Sequence, residues 1–426
     1  MTDHHDIFAG RESQVRSYCR SFPHVLTTGL GTLVRDTEGE EYIDFLAGAG
    51  SLNYGHNDPD MKAALIEYIS GNGITQGLDL HTVAKGNFLT AFEELILEPR
   101  GMDYRVQFTG PTGTNAVEAA LKLARKVTGR SNVIAFTNAF HGGSAGSLAA
   151  TGNRHHRMGG QGLHSVTRMP YEGYFGNGVD TSEHLAQMLA DQSSGVDTPA
   201  AIILETLQGE GGLNVASSEW LQRIASIAAE HGALLIIDDI QAGCGRTGTF
   251  FSFEDMGVQP DLVVLSKSVS GFGIPMSLLL IRPELDQWLP GEHNGTFRGN
   301  GHAFITAEVA LRKFWSTAVF EETVRQRAAQ LHDGLTEISA MIPGSRVKGR
   351  GIMQGLDVLD ENVSTAVRQT CIANGLLIEA AGPRDEVIKI MAPLTTDEAT
   401  LDRGLEILRA AVVEHLEGSR TRELVG

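Results

Sequence analysis

The sequence predicts an α/β protein: a mostly parallel central sheet flanked by helices, with a smaller α+β domain assembled from the N- and C-terminal segments. Three observations predict it. From about Arg105, apolar runs of four or five residues alternate with amphipathic helical segments, the order that produces parallel strands joined by crossover helices. The runs 234–237 and 262–265 are apolar at every position, which marks strands buried on both faces. These two, Leu234–Ile237 and Leu262–Leu265, stop abruptly at Asp238 and at the pair Ser266-Lys267. Ligands of open α/β sheets sit beyond the carboxyl ends of the strands, so these two runs deliver a carboxylate and an amine to that edge.

In chain order, residues 1–25 read as a polar arm with a short helical piece. Residues 31–45, GTLVRDTEGEEYIDF, read as a hairpin turning on Asp, Glu and Gly. The glycine-rich AGAGSLNYGHNDP (47–59) is a loop, and 60–69 is a helix. RVQFT (105–109) is a strand. The helix 115–127 places Val117, Ala120, Leu121, Ala124 and Val127 on one face. NVIAF (132–136), AIIL (201–204) and SLLLI (277–281) are further strands, and 220–231 is a helix. From about Ala303 the pattern turns helical. Short strands follow in KGRGIMQGLDV, LLIEA and VIKIM, then a helix over 397–417. The expected division is 1–58 as part of the small domain, 59–302 as the large domain and 303–426 as the rest of the small one.

The composition bounds the function. A chain of 426 residues suits one large and one smaller domain, and 42% hydrophobic residues can fill a sizeable core. A net charge of −18 argues against nucleic acid or anionic membrane as partner and fits a cytoplasmic protein. Cys19, Cys244 and Cys371 are far apart, so neither a disulfide framework nor a zinc ribbon is implied. The polar N-terminus is no signal peptide, and no apolar run approaches the roughly 20 residues of a membrane span.

Several short stretches carry chemistry. GPTGT (110–114) lies between a strand and a helix, where N–H groups and a threonine hydroxyl make an anion site. It lacks the Gly-Lys-Ser/Thr ending of a P-loop. An ordinary strand–helix turn looks the same, and Asn115 with Glu118 resembles a capping box. Phe140, in Phe140-His141-Gly142, could stack on a flat ring or simply pack a turn. Glu205 and Glu210 stand in ETLQGEGG, a setting in which glutamates are usually solvated. Asp238 begins near the core and needs a partner, either a ring N–H⁺ or a salt bridge. Lys267 is presented from a buried strand into a glycine turn, where burial lowers its pKa and makes the amine a nucleophile toward a carbonyl. Together these groups ask for a flat, phosphate-bearing aldehyde with a protonatable ring nitrogen, a description met by pyridoxal phosphate.

Over nearly its whole length the chain resembles the class III pyridoxal-phosphate aminotransferases of the fold-type I superfamily. The resemblance is carried by DTEGEEYIDFLAGAGSLNYGH, TGTNAVEAALKLAR, AFHGGSAGS, ETLQGEGG, IIDDIQAGCGRTG, LSKSVSGFGIPMS and VIKIMAPL. It implies a fold-type I transferase in which Lys267 links covalently to the cofactor and then carries the proton at the substrate carbon. Asp238 would pair with the ring nitrogen, and Gln241 would serve the ring oxygen. Phe140 would stack on one ring face, and His141 beside it would belong to the cofactor-binding set. Gly113 and Thr114 would bind the phosphate, and Thr296, in NGTFRGN, would bind the phosphate of a neighbouring subunit's cofactor in a homodimer. No metal is implied.

GNGITQGLDLHTVAK, GPTGTNAVEAALKLARKVTGR and NGTFRGNGHAFITA narrow the resemblance within the family. They imply ping-pong transfer of an amino group from L-glutamate to the aldehyde of L-aspartate 4-semialdehyde, giving L-2,4-diaminobutyrate and 2-oxoglutarate, the first step of ectoine synthesis. Three departures stand out. Asp238-Asp239 replaces the family's Asp-Glu, and Glu205-Thr206 replaces Glu-Pro. Lys389 stands where members with ω-amino substrates often pair an arginine with the glutamate at Glu210. Lysine lacks arginine's bidentate fork, so Glu210 and Lys389 are the expected substrate-side pair with a clamp of different form. Transfer to 4-aminobutyrate, ornithine or acetylornithine, and a 2,1-aminomutase, would use the same cofactor residues. A nicotinamide oxidoreductase would need a full GxGxxG after the first strand, which is missing. A zinc site from His155, His156 and His164 would need an acidic pattern that their loop lacks.

Overall fold

A computed structural model of the chain describes residues 4–425, Asn177 apart; Met1–Asp3 and Gly426, which belong to the expected terminal segments, lie outside the described residues. The N-terminal arm carries helix His4–Arg11 and the short turn Tyr18–Ser21. Strands β1 (Leu26–Leu30), β2 (Leu33–Asp36) and β3 (Glu41–Asp44) then form an antiparallel meander. The β2–β3 turn is the expected hairpin, built on Asp36, whose Oδ1 accepts the N–H groups of Glu38 and Glu40 at 2.9 and 3.0 Å. Strand β1 is an addition. Its LTTGL lies along an edge with almost every residue exposed, so no apolar pattern announces it.

The central sheet uses β4 (Arg105–Phe108), β5 (Val133–Phe136), β6 (Val166–Met169) and β7 (Ala201–Leu204). After the short hairpin β8 (Leu207–Gln208) and β9 (Asn214–Val215), it adds β10 (Leu234–Asp238), β11 (Leu262–Leu265) and β12 (Leu278–Ile281). Its order is β4-β12-β11-β10-β7-β5-β6. Only β12 runs against its neighbours; the pairs β10–β11, β7–β10, β5–β7 and β5–β6 are parallel. Strand period explains the continuous apolar runs. Leu235, Ile237, Val263 and Leu265 enter the core on one face, while Leu234, Ile236, Leu262 and Val264 enter that on the other, under helix Gly113–Thr128. Asp238 shares the parity of Leu234 and Ile236, so the pleat aims it at the face where that helix begins.

The C-terminal strands β13 (Arg346–Arg350), β14 (Met353–Asp357), β15 (Leu376–Leu377), β16 (Glu379–Ala381) and β17 (Val387–Ile390) build two further sheets. Strands β13, β14, β17 and β16 are antiparallel in that order, while β15 adds in parallel to β3 and joins the N-terminal meander to the C-terminal segment. Helix Gly301–Phe314, which begins near the expected domain boundary, buries Ala303, Phe304 and Ala307 in the core of the central sheet. The last helix, Glu398–Val425, runs past the expected end at 417.

The expected capping box is not formed. Helix Gly113–Thr128 starts two residues before Asn115, with Thr112 as N-cap: its hydroxyl accepts the Asn115 N–H at 3.3 Å. Asn115 Oδ1 instead accepts the Gly110 N–H at 2.7 Å, and Glu118 turns toward another loop. Arg246 ties the segments together. It is fully buried and donates to the carbonyls of Ile352 and Ala392 and to Asn53 Oδ1. Burial pushes its pKa down to about 9. Among the described residues no helix is long and apolar enough to cross a membrane.

Candidate active site

The carboxyl ends of β10 and β11 open into a cavity of about 270 Å³. Asp238, at the end of β10, is buried. Its Oδ2 meets His141 Nδ1 at 2.7 Å and its Oδ1 accepts the Ile240 N–H at 3.2 Å. Burial works against a charged His141, but the Asp238 carboxylate wins and holds the imidazole above its usual pKa. His141 Nε2 is buried without a partner among the described residues. Glu205, expected to be solvated, is buried: it accepts the Phe140 N–H at 2.8 Å and the Gly209 N–H at 3.3 Å. Burial drives its pKa up to about 7, against the pull of His141.

Lys267 opens the turn Lys267–Ser270 directly after β11 and adopts φ +49°, the left-handed region that costs a side chain of this kind of order 1–3 kcal/mol. That kink turns the side chain out of the strand and into the cavity, where burial pushes the amine below the ordinary lysine range. The amine donates to Ala49 O at 2.8 Å. Ala49 belongs to the AGAG stretch, in which Ala47, Gly48, Ala49 and Gly50 all have positive φ. This left-handed turn is anchored at one end by Asp44 Oδ1, which accepts the Leu46 and Ala47 N–H groups. At the other end Ser268 Oγ donates to Gly50 O. Gln241 Nε2 donates to the same Ala49 carbonyl at 3.1 Å. The sequence reading took these residues as a plain loop; the run of small residues was the only signal.

The start of helix Gly113–Thr128 forms a polar cup. Thr114 Oγ1 accepts the Gly143 and Ser144 N–H groups at 3.1 and 3.3 Å and lies 2.5 Å from Ser147 Oγ. Glu118 Oε1 secures the facing loop by accepting Ser144 Oγ, Gly146 N–H and Ser147 N–H. A Cβ on Gly142 would lie 2.1 Å from Thr114 Oγ1, so glycine is what lets the two walls close.

At the Glu210 wall of the cavity, fully buried Lys389 of β17 sits between two carboxylates, 3.0 Å from Glu210 Oε1 and 3.1 Å from Glu379 Oε1. It also donates to Gln241 Oε1 at 3.3 Å, and Gln241 Nε2 donates to Glu210 at 3.0 Å. Burial alone would lower the Lys389 pKa, but the flanking carboxylates hold it above the lysine range. Burial would raise Glu210, but Lys389 and then Lys267 bring it down to about 2. Burial keeps Glu379 above its usual range. The sequence reading missed Glu379; an acid within the apolar LLIEA strand was its signal.

The structure gathers Gly113, Thr114, Phe140, His141, Glu210, Asp238, Gln241 and Lys267 around the cavity, with Lys389 behind Glu210. It does not bring Thr296 there: that residue is exposed on the turn Thr296–Arg298. Two departures meet behind the sheet, where Asp239 Oδ2 accepts the Ser252 N–H at 3.1 Å and Thr206 Oγ1 donates to Ser252 Oγ at 2.5 Å. Burial raises Asp239 to about 7. His155 and His156 lie edge to face, and among the described residues no three His, Cys, Asp or Glu side chains gather as a metal set.

This donor set fits pyridoxal phosphate: an amine for the aldehyde, a buried carboxylate paired with a protonatable imidazole for the ring nitrogen, and a helix start with hydroxyls for the phosphate. Residues 16–412 match the model of the aminotransferase class-III family, and the chain belongs to that family, whose cofactor is pyridoxal 5′-phosphate. Similar curated proteins are named diaminobutyrate–2-oxoglutarate transaminase. That of Vibrio parahaemolyticus is 56% identical over 410 residues, covering 96% of this chain and 97% of the relative. That of Nocardia farcinica is 51% identical, covering 97% and 95%. Among solved structures, the ornithine aminotransferase of Toxoplasma gondii superposes with a TM-score of 0.84 at 25% identity, covering 97% of this chain and 95% of that one. The N-acetylornithine aminotransferase of Stenotrophomonas maltophilia gives 0.75 at 29% identity, covering 97% and 99%.

Proposed function

We propose that this aminotransferase moves the amino group of L-glutamate to the aldehyde of L-aspartate 4-semialdehyde, forming L-2,4-diaminobutyrate and 2-oxoglutarate as the first step of ectoine synthesis in the cytoplasm. The observation that carries the substrate assignment is the 56% identity over almost the whole chain with a diaminobutyrate–2-oxoglutarate transaminase.

When bound, the cofactor supplies an aldehyde that captures amines and a protonated ring that withdraws electrons from the substrate carbon. The chain's residues do the rest. Lys267 Nζ, its pKa lowered by burial, takes the proton from Cα of glutamate and returns one to the reacting carbon of the acceptor. Asp238, backed by His141, holds the ring nitrogen protonated. Gln241 serves the ring oxygen and Phe140 stacks on one face of the ring. Gly113 and Thr114 hold the phosphate. Glu210 acts as the movable group. When it leaves, Lys389 and Glu379 remain a neutral pair, and the α-carboxylate of glutamate takes the vacated place with the charge balance unchanged. The acceptor has no carboxylate at its reacting carbon, so Glu210 stays. The segments 1–58 and 303–426, apart from the helix Gly301–Phe314 that packs on the central sheet, form the small domain and bring Ala49, Glu379 and Lys389 to this edge.

A coupled assay tests the reading: glutamate with aspartate semialdehyde is turned over at least about tenfold more efficiently than 4-aminobutyrate with 2-oxoglutarate, a gap of about 1.4 kcal/mol. The reverse order would transfer the assignment to a 4-aminobutyrate enzyme.

The active form is a homodimer in which Thr296 completes the phosphate site of the neighbouring subunit. Its exposure supports this, as does the apolar surface around it: Ile74, Leu78, Leu80, Val83, Leu289 and Phe297 are all exposed. The 74–83 segment is tied to the Thr296 turn through Gly77 N–H to Gly299 O at 2.8 Å and the Arg298–Asp79 ion pair at 2.7 Å. Size measurement is expected to give a dimer or larger, and Thr296→Ala to weaken cofactor retention roughly tenfold. A fully active monomer would remove this role.

A further inference from the structure

The cofactor cavity adjoins a second one of about 220 Å³, and the two share Phe140 and Glu210 as walls. One side of the second cavity is the loop from Gly152 to His156. The loop is firmly seated. The Gly152 N–H donates to Ala139 O at 2.7 Å, and the His156 ring meets Phe140 edge to face at 5.0 Å. A Cβ on Gly152 would lie 2.8 Å from Asn138 N, so glycine allows this close approach. The loop holds Arg154 at the rim. Arg154 is the only arginine among the described residues lining either cavity. Its guanidinium makes no hydrogen bond or ion pair with any described residue. Lys389, by contrast, is committed to Glu210 and Glu379. A second substrate carboxylate therefore finds no uncommitted cation deeper in the site, and Arg154 offers one with a planar fork suited to it.

The substrates of the proposed reaction, on which this inference rests, share one metric. In L-glutamate the reacting carbon is C2 and the distal carboxylate carbon is C5. In L-aspartate 4-semialdehyde the reacting carbon is C4 and the carboxylate carbon is C1. Both separations are three bonds, so one cation at a fixed distance serves both half-reactions. We propose that Arg154 binds the carboxylate three bonds from the reacting carbon in both substrates, and that this contact sets the enzyme's demand for a carboxylate-bearing partner. Glu210, on the wall shared by the two cavities, offers a carboxylate to the α-ammonium that only the acceptor carries beside that group.

The test uses the holoenzyme and Arg154→Gln, with two carboxylate-free analogues: L-norvaline in place of glutamate and 3-aminopropanal in place of the semialdehyde. Arg154→Gln is expected to lose roughly 10- to 100-fold in kcat/KM with glutamate and with the semialdehyde, mainly through KM. Norvaline and aminopropanal should react as they do in the wild type, and Arg154→Lys should recover part of the loss. Equal losses with and without the carboxylate, or an unchanged KM for glutamate, would overturn the proposal. The glutamate arm, followed by the cofactor's spectral change in a single turnover, needs no acceptor. A wild type that does not aminate the semialdehyde would thus defeat the substrate reading, while glutamate against norvaline still decides the role of Arg154.

Discussion

Replacing Lys267 with alanine is expected to abolish transamination, lowering the rate by at least about 10⁴-fold, and to remove the yellow absorbance of the lysine-linked cofactor. Three features concentrate the chemistry on this one amine. The left-handed turn after β11 directs it into the cavity. Burial lowers its pKa, so more of it is neutral at physiological pH. The Ala49 carbonyl, 2.8 Å away, orients it without neutralising it. No other amine replaces it, because Lys389 is held protonated between two carboxylates. The cup around Thr114 does not touch Lys267, so the variant should still bind the cofactor, now without a covalent link. Absorbance spectra and single-turnover rates check both halves. Residual turnover within tenfold of wild type would contradict the assignment of the proton-carrying role.

Lys389→Ala carries the next largest effect, and it acts on stability and on catalysis together. The wild-type cluster places one buried cation between Glu210 and Glu379. Removing it leaves buried Glu379 facing half-buried Glu210 without a cation between them, at a cost of about 3–5 kcal/mol carried mainly by Glu379. The pH dependence has a definite sign. In the wild type, Glu210 has a depressed pKa, so its contribution is present above the ordinary glutamate range and is lost as pH falls toward about 2. In the variant both carboxylates are raised. The folded state then binds more protons than the unfolded one, and stability falls as pH rises. Denaturant unfolding should therefore show a larger deficit at pH 8 than at pH 5, and a deficit independent of pH would contradict the pairing. In kinetics, both half-reactions should slow, that with glutamate more, because its α-carboxylate loses the cation it would share. Unchanged rates for both would sink the gating role of Glu210.

Much of this was legible without coordinates. Asp238 and Lys267 each end an apolar strand, and strand period and the carboxyl-edge rule are local and regular enough to place both at one site. The helix over GTNAVEAALKLARKVT was legible from its apolar face, although its true cap, Thr112, was mistaken for part of the turn before it. Asn115 and Glu118 have the spacing of a capping box, yet tertiary partners at Gly110 and Ser144–Ser147 claimed both side chains.

What the sequence determined by itself was the α/β fold and the cofactor chemistry, because both follow from residues read against their own strand or helix. What only the tertiary structure decided was how the cluster around Glu210 and Lys389 is built. Ala49 acts through a backbone carbonyl, which has no side-chain signature, and through a left-handed turn that its residue type does not favour. Glu379 and Lys389 meet Glu210 from strands far along the chain, and their energetics depend on a burial that no local pattern encodes. Arg154 looks like any exposed arginine until the loop carrying it is seen lying against Phe140 at the rim of the second cavity.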